Sequence, residues 1–409
     1  MLPIKASKLL IAEGIEADPQ TRVRAERLRA GIETDDCRTV NDADLAAILR
    51  REVGKPPHHG MRDECEPVVA FTRVRFDDDG DEDLSDIVVQ ARIGLGAYGG
   101  FDWRDMGSPR WRERTGLVCQ PAWQIHTAGG CHFRCAYCSF GRFMNLVLNI
   151  EEIVSHLDGL LARAPGQRLF QWDNGTDVVC FEPEYGAARL LIEYFARQPG
   201  RALELYAGKS DQIDFLLDYD HRGHTVCSWS LSGRTQSAEF EWRSAGMEQR
   251  IEAMRTCQAA GYPVRVRFSP IIPIKGWRDE NREMIDLLFR DVTPDVVTME
   301  TIRYLDYDEI SRHFDLGLLD EAFVSAMRED QGRDAAPGCQ VPAAWRKQVY
   351  RFIFDELDRV SPETPVAFCR EERTLWDHFA ADLARRGQHP DRYRCNCGPT
   401  SAPVTVMTG

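Results

Sequence analysis

Cys131-His132-Phe133-Arg134-Cys135-Ala136-Tyr137-Cys138 places three cysteines at C-x3-C-x2-C spacing. The apolar run from Pro121 to Ala128 precedes it and is followed by Gly129-Gly130. A strand therefore ends, the chain turns sharply, and a loop presents three thiols together. Three thiolates can hold three irons of a 4Fe-4S cube and leave the fourth iron open to another ligand. Zinc is a competing occupant. Structural zinc sites take four ligands, and His132 is the nearby candidate for the fourth. Ordinary buried thiols are a third reading, and spacing alone leaves all three open.

Outward from this loop the chain alternates. Apolar strand candidates run Ala122–Thr127, Arg168–Asp173, Ala202–Gly208, Thr225–Leu231, Val264–Ile271 and Val296–Ile302. Helical spacing fills the gaps: Ile150, Ile153, Val154, Leu157, Leu160 and Leu161 share one face, as do Leu190, Leu191, Tyr194 and Phe195. A helix from Met247 to Ala260 is stopped by Gly261, with Pro263 beyond. Six strands alternating with helices predict an α/β fold with a parallel sheet. Their order suits a partial (β/α)6 TIM-like barrel, whose site lies on the loops after the strands. Those loops are polar: Asp173-Asn174-Gly175-Thr176-Asp177, Gly208-Lys209-Ser210-Asp211, Trp229-Ser230-Leu231-Ser232-Gly233 and Arg267-Phe268-Ser269-Pro270. Turn chemistry and capping explain any one of them. Their recurrence at successive strand ends favours a site.

C-x3-C-x2-C with an aromatic before the last cysteine resembles the signature of radical S-adenosylmethionine (SAM) enzymes, whose core is this partial barrel. The resemblance makes Cys131, Cys135 and Cys138 ligands of a 4Fe-4S cluster whose open iron chelates SAM, with Tyr137 beside the adenine. In that family one electron cleaves SAM to a 5'-deoxyadenosyl radical that abstracts hydrogen from an unactivated carbon. From Leu117 to Leu288 the chain resembles, more closely, the spore photoproduct lyase family. The run Cys119-Gln120-Pro121 to Cys138, Phe170 to Val179, and Trp229-Ser230-Leu231-Ser232 carry that likeness. So, most specifically, does Arg250-Ile251-Glu252-Ala253 through Ala260-Gly261-Tyr262-Pro263 to Gly276-Trp277. The resemblance implies SAM contacts from Lys209, Ser230 and Thr176. Asp177 and Ser232 complete the cofactor-facing set, and Lys209 is the cation for the SAM carboxylate.

The departures matter as much. Asn174 stands where the lyases carry a hydrogen-donating cysteine, and Asn has no weak X–H bond to give. Cys180 lies near in sequence but in a segment expected to be buried. Ser139 replaces the tyrosine that usually follows the last cluster cysteine. Beyond the late strand-like run Pro365–Cys369 comes a tail with Cys395-Asn396-Cys397-Gly398, read as exposed. Its thiols are candidate hydrogen donors, a dithiol relay, or ligands of a second cluster with Cys369 or Cys339. Incidental tail cysteines remain the plainer reading. His126 fits a satisfied core histidine, and Glu300, Arg303, Arg370 and Glu371 are candidates to face the barrel mouth.

The chain has 409 residues, thirteen cysteines and a net charge of −14. An odd cysteine count without a secretory signal disfavours a disulfide scaffold and fits a reducing cytoplasm. No apolar run reaches membrane-spanning length. An acidic chain lowers the prior for gripping duplex DNA. Residues 1–115 are expected to form helical segments (Asp18–Ile32, and Asp42–Glu52 with Leu45, Ile48 and Leu49 on one face) and a hairpin. The hairpin strands are Val68–Phe76 and Ile87–Ile93 around the acidic tip Asp77 to Asp83, which lacks the EF-hand pattern. Gly94 to Arg114 reads as linker or flap. Residues 116–310 are expected to form the barrel, and 311–409 a helical extension with the cysteine tail. Together these point to a radical SAM enzyme acting on a small-molecule or nucleotide substrate, served by an electron donor such as a flavodoxin or ferredoxin. Photodimer repair in DNA is the alternative, and a non-catalytic iron–sulfur or zinc protein the second.

Overall fold

The computed structural model describes residues 1–53, 66–76, 100–330, 338–403 and 406. Its centre is an eight-stranded sheet. In chain order the parallel strands are β1 (Ala122–His126), β2 (Leu169–Trp172), β3 (Ala202–Gly208), β4 (Thr225–Ser230), β5 (Val264–Ile271), β6 (Val297–Thr301) and β7 (Val366–Phe368). β2, β4 and β6 are wholly buried. That is the mark of a parallel sheet covered on both faces, and it makes these strands read as apolar runs rather than alternations. The expected α/β partial barrel of six strands is present. β7, from the late run Pro365–Cys369, pairs with β6 and adds a seventh.

Helices cover the outside. Met247–Ala259 ends at Ala260, and Gly261 follows at φ +92°. Ile150, Ile153, Leu157, Leu160 and Leu161 are buried as their spacing demands. The helix itself is broken at His156 into Ile150–Ser155 and Leu157–Arg163.

The linker or flap reading of Gly94 to Arg114 is corrected where the structure describes it. Gly100–Arg104 is the antiparallel edge strand beside β1, and Pro109–Thr115 is a helix capped by Ser108. The N-terminal helices are present, at Pro19–Arg29 and Asp42–Val53, but they join strands. Cys37–Val40, Lys8–Ala12, Val68–Thr72 and Phe143–Val147 form four parallel neighbours, and Ala128–Gly129 closes the sheet antiparallel to the last. Lys8–Ala12 escapes a sequence reading because its short apolar run, Leu9–Ala12, lacks alternation and fits helix and strand equally. The acidic tip and the second hairpin strand, Ile87–Ile93, lie outside the described residues.

The two sheets meet at the cysteine loop. The chain leaves β1, pairs through Ala128–Gly129, forms the loop, and returns as Phe143–Val147. Arg24, 4 % exposed, bolts the N-terminal helix to this junction. Its Nε donates to Tyr185 O at 2.8 Å, its Nη1 to Leu148 O, and its Nη2 pairs with Glu151 at 2.7 Å. Arg24→Ala orphans two buried carbonyls. Urea unfolding is expected to show a loss of about 2–4 kcal/mol. A loss below about 0.5 kcal/mol would mean the junction holds without it.

Candidate functional site

The cysteine loop is shaped by two backbone constraints. Gly130 sits at φ +75°, and a Cβ there would lie 1.8 Å from Phe143 O, so the turn requires glycine. Cys131 N then donates to Phe140 O at 2.7 Å, closing the loop on itself. Arg134-Cys135 forms a two-residue antiparallel ladder with Glu241-Trp242, and Ala136 N donates to Phe240 O at 2.8 Å. The loop that follows β4 therefore holds the cysteine loop over the sheet.

The Glu241 carboxylate, fully buried, gathers the site. Tyr137 donates its hydroxyl at 2.7 Å, Ser232 at 2.8 Å and Gln236 Nε2 at 3.0 Å. Arg250 Nη2 pairs with it at 2.7 Å and Lys209 Nζ at 3.9 Å. Burial pushes the carboxyl up, but Lys209 and Arg250 together with the Tyr137 and Gln236 hydrogen bonds outweigh it and hold it at about 2. Arg250 spends its remaining hydrogens on Ala245 O, Ser230 O and the Ser232 and Ser244 hydroxyls. Lys209 lies 5.8 Å from the Tyr137 ring centre. The expected cofactor set of Tyr137, Lys209, Ser230 and Ser232 is thus brought together around two residues not singled out for it. Arg250 carried a signal: it falls on the apolar face of its helix with Met247, Ile251 and Met254, where a charge needs a partner.

Thr176 and Asp177 complete the set. Asp177 Oδ2 accepts Lys209 N at 2.8 Å, in a contact that a Cβ on Gly208 would block at 2.6 Å. Asp177 Oδ1 and Thr176 Oγ1 are buried without partners. Burial raises Asp177 to about 7 against the pull of Lys209. Orphaned polar atoms beside an ammonium fit a zwitterionic, hydroxyl-bearing ligand. The Ser230 hydroxyl meets the Tyr206 hydroxyl at 2.8 Å.

The donor set suits an iron–sulfur cube. A structural zinc takes four ligands, and beside the three thiols His132 is the nearby candidate for the fourth. A cube takes one thiolate at each of three irons and needs no fourth protein ligand. Burial pushes the Cys135 thiol up to about 12 and raises Cys131 and Cys138, so loading a metal here releases protons.

Other expected residues fall elsewhere. His126 Nδ1 faces Asp173 at 3.1 Å, and the same carboxylate accepts Thr127 N, Thr127 Oγ1 and Ala128 N, tying the ends of β1 and β2. Cys180 is buried and donates to Asp177 O at 2.8 Å. Asn174 is half-buried. Glu300 is held at about 2: burial raises it, and Arg370, Arg303 and Arg267 outweigh that. Arg303 Nη1 donates to Cys339 Sγ and Arg370 O. Glu371 accepts from Tyr350 at 2.6 Å and pairs with Arg346. The exposed-tail expectation for Cys395 and Cys397 is corrected. Cys395 is 6 % exposed and Cys397 half-buried. Arg265 Nη1 donates to Cys395 O at 2.6 Å, and Asn396 bonds Ser228 on β4 and Thr298 on β6. The tail's backbone polarity is satisfied by polar side chains inside the sheet, which no local pattern reveals.

Residues 120–311 match the family model "Spore photoproduct lyase". The spore photoproduct lyase of Bacillus subtilis (strain 168) is 28 % identical over 190 residues, 44 % of this chain and 55 % of that protein. The one from Clostridium acetobutylicum is 25 % identical over 183 residues, 42 % and 54 %. The chain thus matches about half the length of these curated relatives. Among solved structures, a spore photoproduct lyase complexed with dinucleoside spore photoproduct aligns with a TM-score of 0.62 at 17 % identity, over 90 % of this chain and 100 % of that one. A mutant lyase with bound AdoMet and dinucleoside spore photoproduct gives 0.60 at 15 %, over 89 % and 98 %. The chain resembles the spore photoproduct lyases of the radical SAM superfamily in sequence across the barrel and in fold across most of its length.

Glu241 tests the site's electrostatics. Its folded-state value lies below its ordinary 4.5, so its contribution is complete above about pH 4.5 and is lost as pH falls toward 2. Glu241→Gln is expected to cost about 3 kcal/mol at neutral pH, with the gap to the parent closing across that window in urea unfolding. A gap that ignores pH would contradict this.

Proposed function

We propose that the chain is a radical SAM enzyme of the spore photoproduct lyase type, which cleaves SAM reductively at a 4Fe-4S cluster and takes hydrogen from a thymine-derived dinucleotide lesion held over the barrel mouth. One observation carries the reading: a buried carboxylate, Glu241, joins the cysteine loop through Tyr137 to Lys209 and Ser232 at successive strand ends. Sequence similarity to the lyases across residues 120–311 supports the lesion over a wider range of substrates.

Cys131, Cys135 and Cys138 would hold the cluster, and Tyr137, Thr176, Asp177, Lys209, Ser230 and Ser232 would line the SAM site. When bound, these groups supply one electron and a carbon radical able to take hydrogen from an unactivated C–H bond. The chain's own work is placement. Lys209 is 8 % exposed and offers a desolvated cation to a carboxylate. Thr176 Oγ1 and Asp177 Oδ1 offer unused acceptors to an ammonium. Glu241 and Arg250 hold Tyr137 and Ser232 in fixed rotamers, which keeps reacting atoms in register. A flavodoxin or ferredoxin would supply the electron, and an oxygen-sensitive cluster would favour a reducing cytoplasm. Among the described residues no helix is long and apolar enough to cross a membrane.

A second reading, hydrogen abstraction from a free nucleotide or other small molecule, is favoured by Asn174 in place of a thiol donor and by the net charge of −14.

The test is anaerobic reconstitution followed by reductant-dependent 5'-deoxyadenosine formation, with and without a dinucleotide photoproduct. Cys135→Ala is expected to remove it. Lys209→Ala is expected to weaken SAM binding about tenfold to a hundredfold, the loss of one charged hydrogen bond. Stimulation by the photoproduct supports the lesion. Deoxyadenosine indifferent to it favours the small-molecule reading, and no SAM cleavage overturns both.

A further inference from the structure

Four cysteines outside this site come together from three parts of the chain. Cys119 precedes β1, Cys369 directly follows β7, and Cys395 and Cys397 lie on the tail. Their meeting place is the seam of the open barrel. Gly100–Arg104 is one edge of the sheet and β7 the other, and a ladder between Leu117-Val118 and Glu371-Glu372 spans the gap. Cys119, Cys369 and Cys397 all lie within electrostatic reach of Arg104. Cys119 lies within the same reach of Cys395 and Cys369.

Three of the four sulfurs are met by N–H groups, and the Cys119 thiol donates to Gln120 O at 3.6 Å. Arg104 Nη2 donates to Cys397 Sγ at 3.2 Å, Gln120 Nε2 to Cys395 Sγ at 3.3 Å, and Arg267 Nη2 to Cys369 Sγ at 3.7 Å. A neutral thiol is a weak acceptor and does not repay the burial of a guanidinium. Arg104 pairs with no carboxylate among the described residues; its bonds go to Cys397 and Gln120 O. Donors aimed at sulfur, with a cation lacking its anion, fit a thiolate-ligated anionic group. A cube takes one thiolate at each of its four irons, which four cysteines supply.

We propose that Cys119, Cys369, Cys395 and Cys397 form a second metal site that takes a fully ligated iron–sulfur cluster at the barrel seam. Each iron then has a protein thiolate and none is open, so this cluster does not bind SAM. Arg104, Gln120 and Arg267 supply the hydrogen bonds that tune its potential.

The test uses the full chain carrying Cys131→Ser, Cys135→Ser and Cys138→Ser, reconstituted anaerobically with iron and sulfide. About four irons and about four sulfides per chain are expected, with 4Fe-4S Mössbauer parameters. Adding Cys395→Ser and Cys397→Ser should return iron to background, with circular dichroism confirming that both variants fold. An iron-free triple variant, zinc in place of iron, or iron that survives the tail substitutions would overturn the assignment. Should the triple variant fail to fold, the unsubstituted chain decides: about eight irons that fall to about four with Cys395→Ser and Cys397→Ser support the second site, and about four from the start overturn it. None of these readouts needs SAM, so they stand apart from the fate of the proposed activity.

Discussion

The pairing of Glu241 with Arg250 is the contact on which the site depends. Both side chains are wholly buried, and neither charge would survive there alone, because taking an ion out of water costs far more than one hydrogen bond returns. The pair persists because every remaining lone pair and proton finds a partner. Those partners are the residues that shape the site: Tyr137 on the cysteine loop, Lys209 after β3, Ser232 after β4 and Gln236 on the helix beyond. Local electrostatics thereby become geometry, since the loop cannot shift without leaving a buried carboxylate short of a donor.

A second constraint acts on the loop from the other side. The N-terminal sheet captures Phe143–Val147 between Val68–Thr72 and Ala128–Gly129. The cysteines are therefore strung between two sheets, one ending at β1 and one beginning at Phe143, with Gly130 pressed against Phe143 O. An N-terminal region that looks like an appendage in sequence acts as the second anchor of the cysteine loop.

The barrel interior departs from an apolar core. Gln124, Gln171 and Glu204 form a hydrogen-bonded row across β1, β2 and β3, and burial holds the Glu204 carboxyl up at about 7. The tail completes this interior through Asn396, and the polar lumen gives a chain of peptide groups somewhere to bond. Polar residues on buried strands are costly unless paired: Gln124, Gln171 and Glu204 pair with one another, and Thr298 and Ser228 pair with Asn396, 98 and 168 residues away.

Much was legible in the residues alone. The C-x3-C-x2-C loop, its glycine turn and six apolar strands separated by amphipathic helices are local patterns, written in spacing, and they specified the barrel and the loop that bears the cysteines. The strand-end placement of Lys209, Ser230 and Ser232 was readable, because apolar runs show where the strands stop. Glu241 was not readable, since a glutamate in a polar loop looks solvated until Arg250 and Lys209 close on it. Nor was the burial of Cys395 and Cys397, because their thiols gain partners only when Arg104 and Gln120 are folded around them, and the Cys395 carbonyl only when Arg265 is. Sequence determined what each segment would become, because helix and strand periodicity is a property of neighbours along the chain. Tertiary structure alone decided which charges would be buried together, because desolvation is set by what lies across space and leaves no trace in spacing.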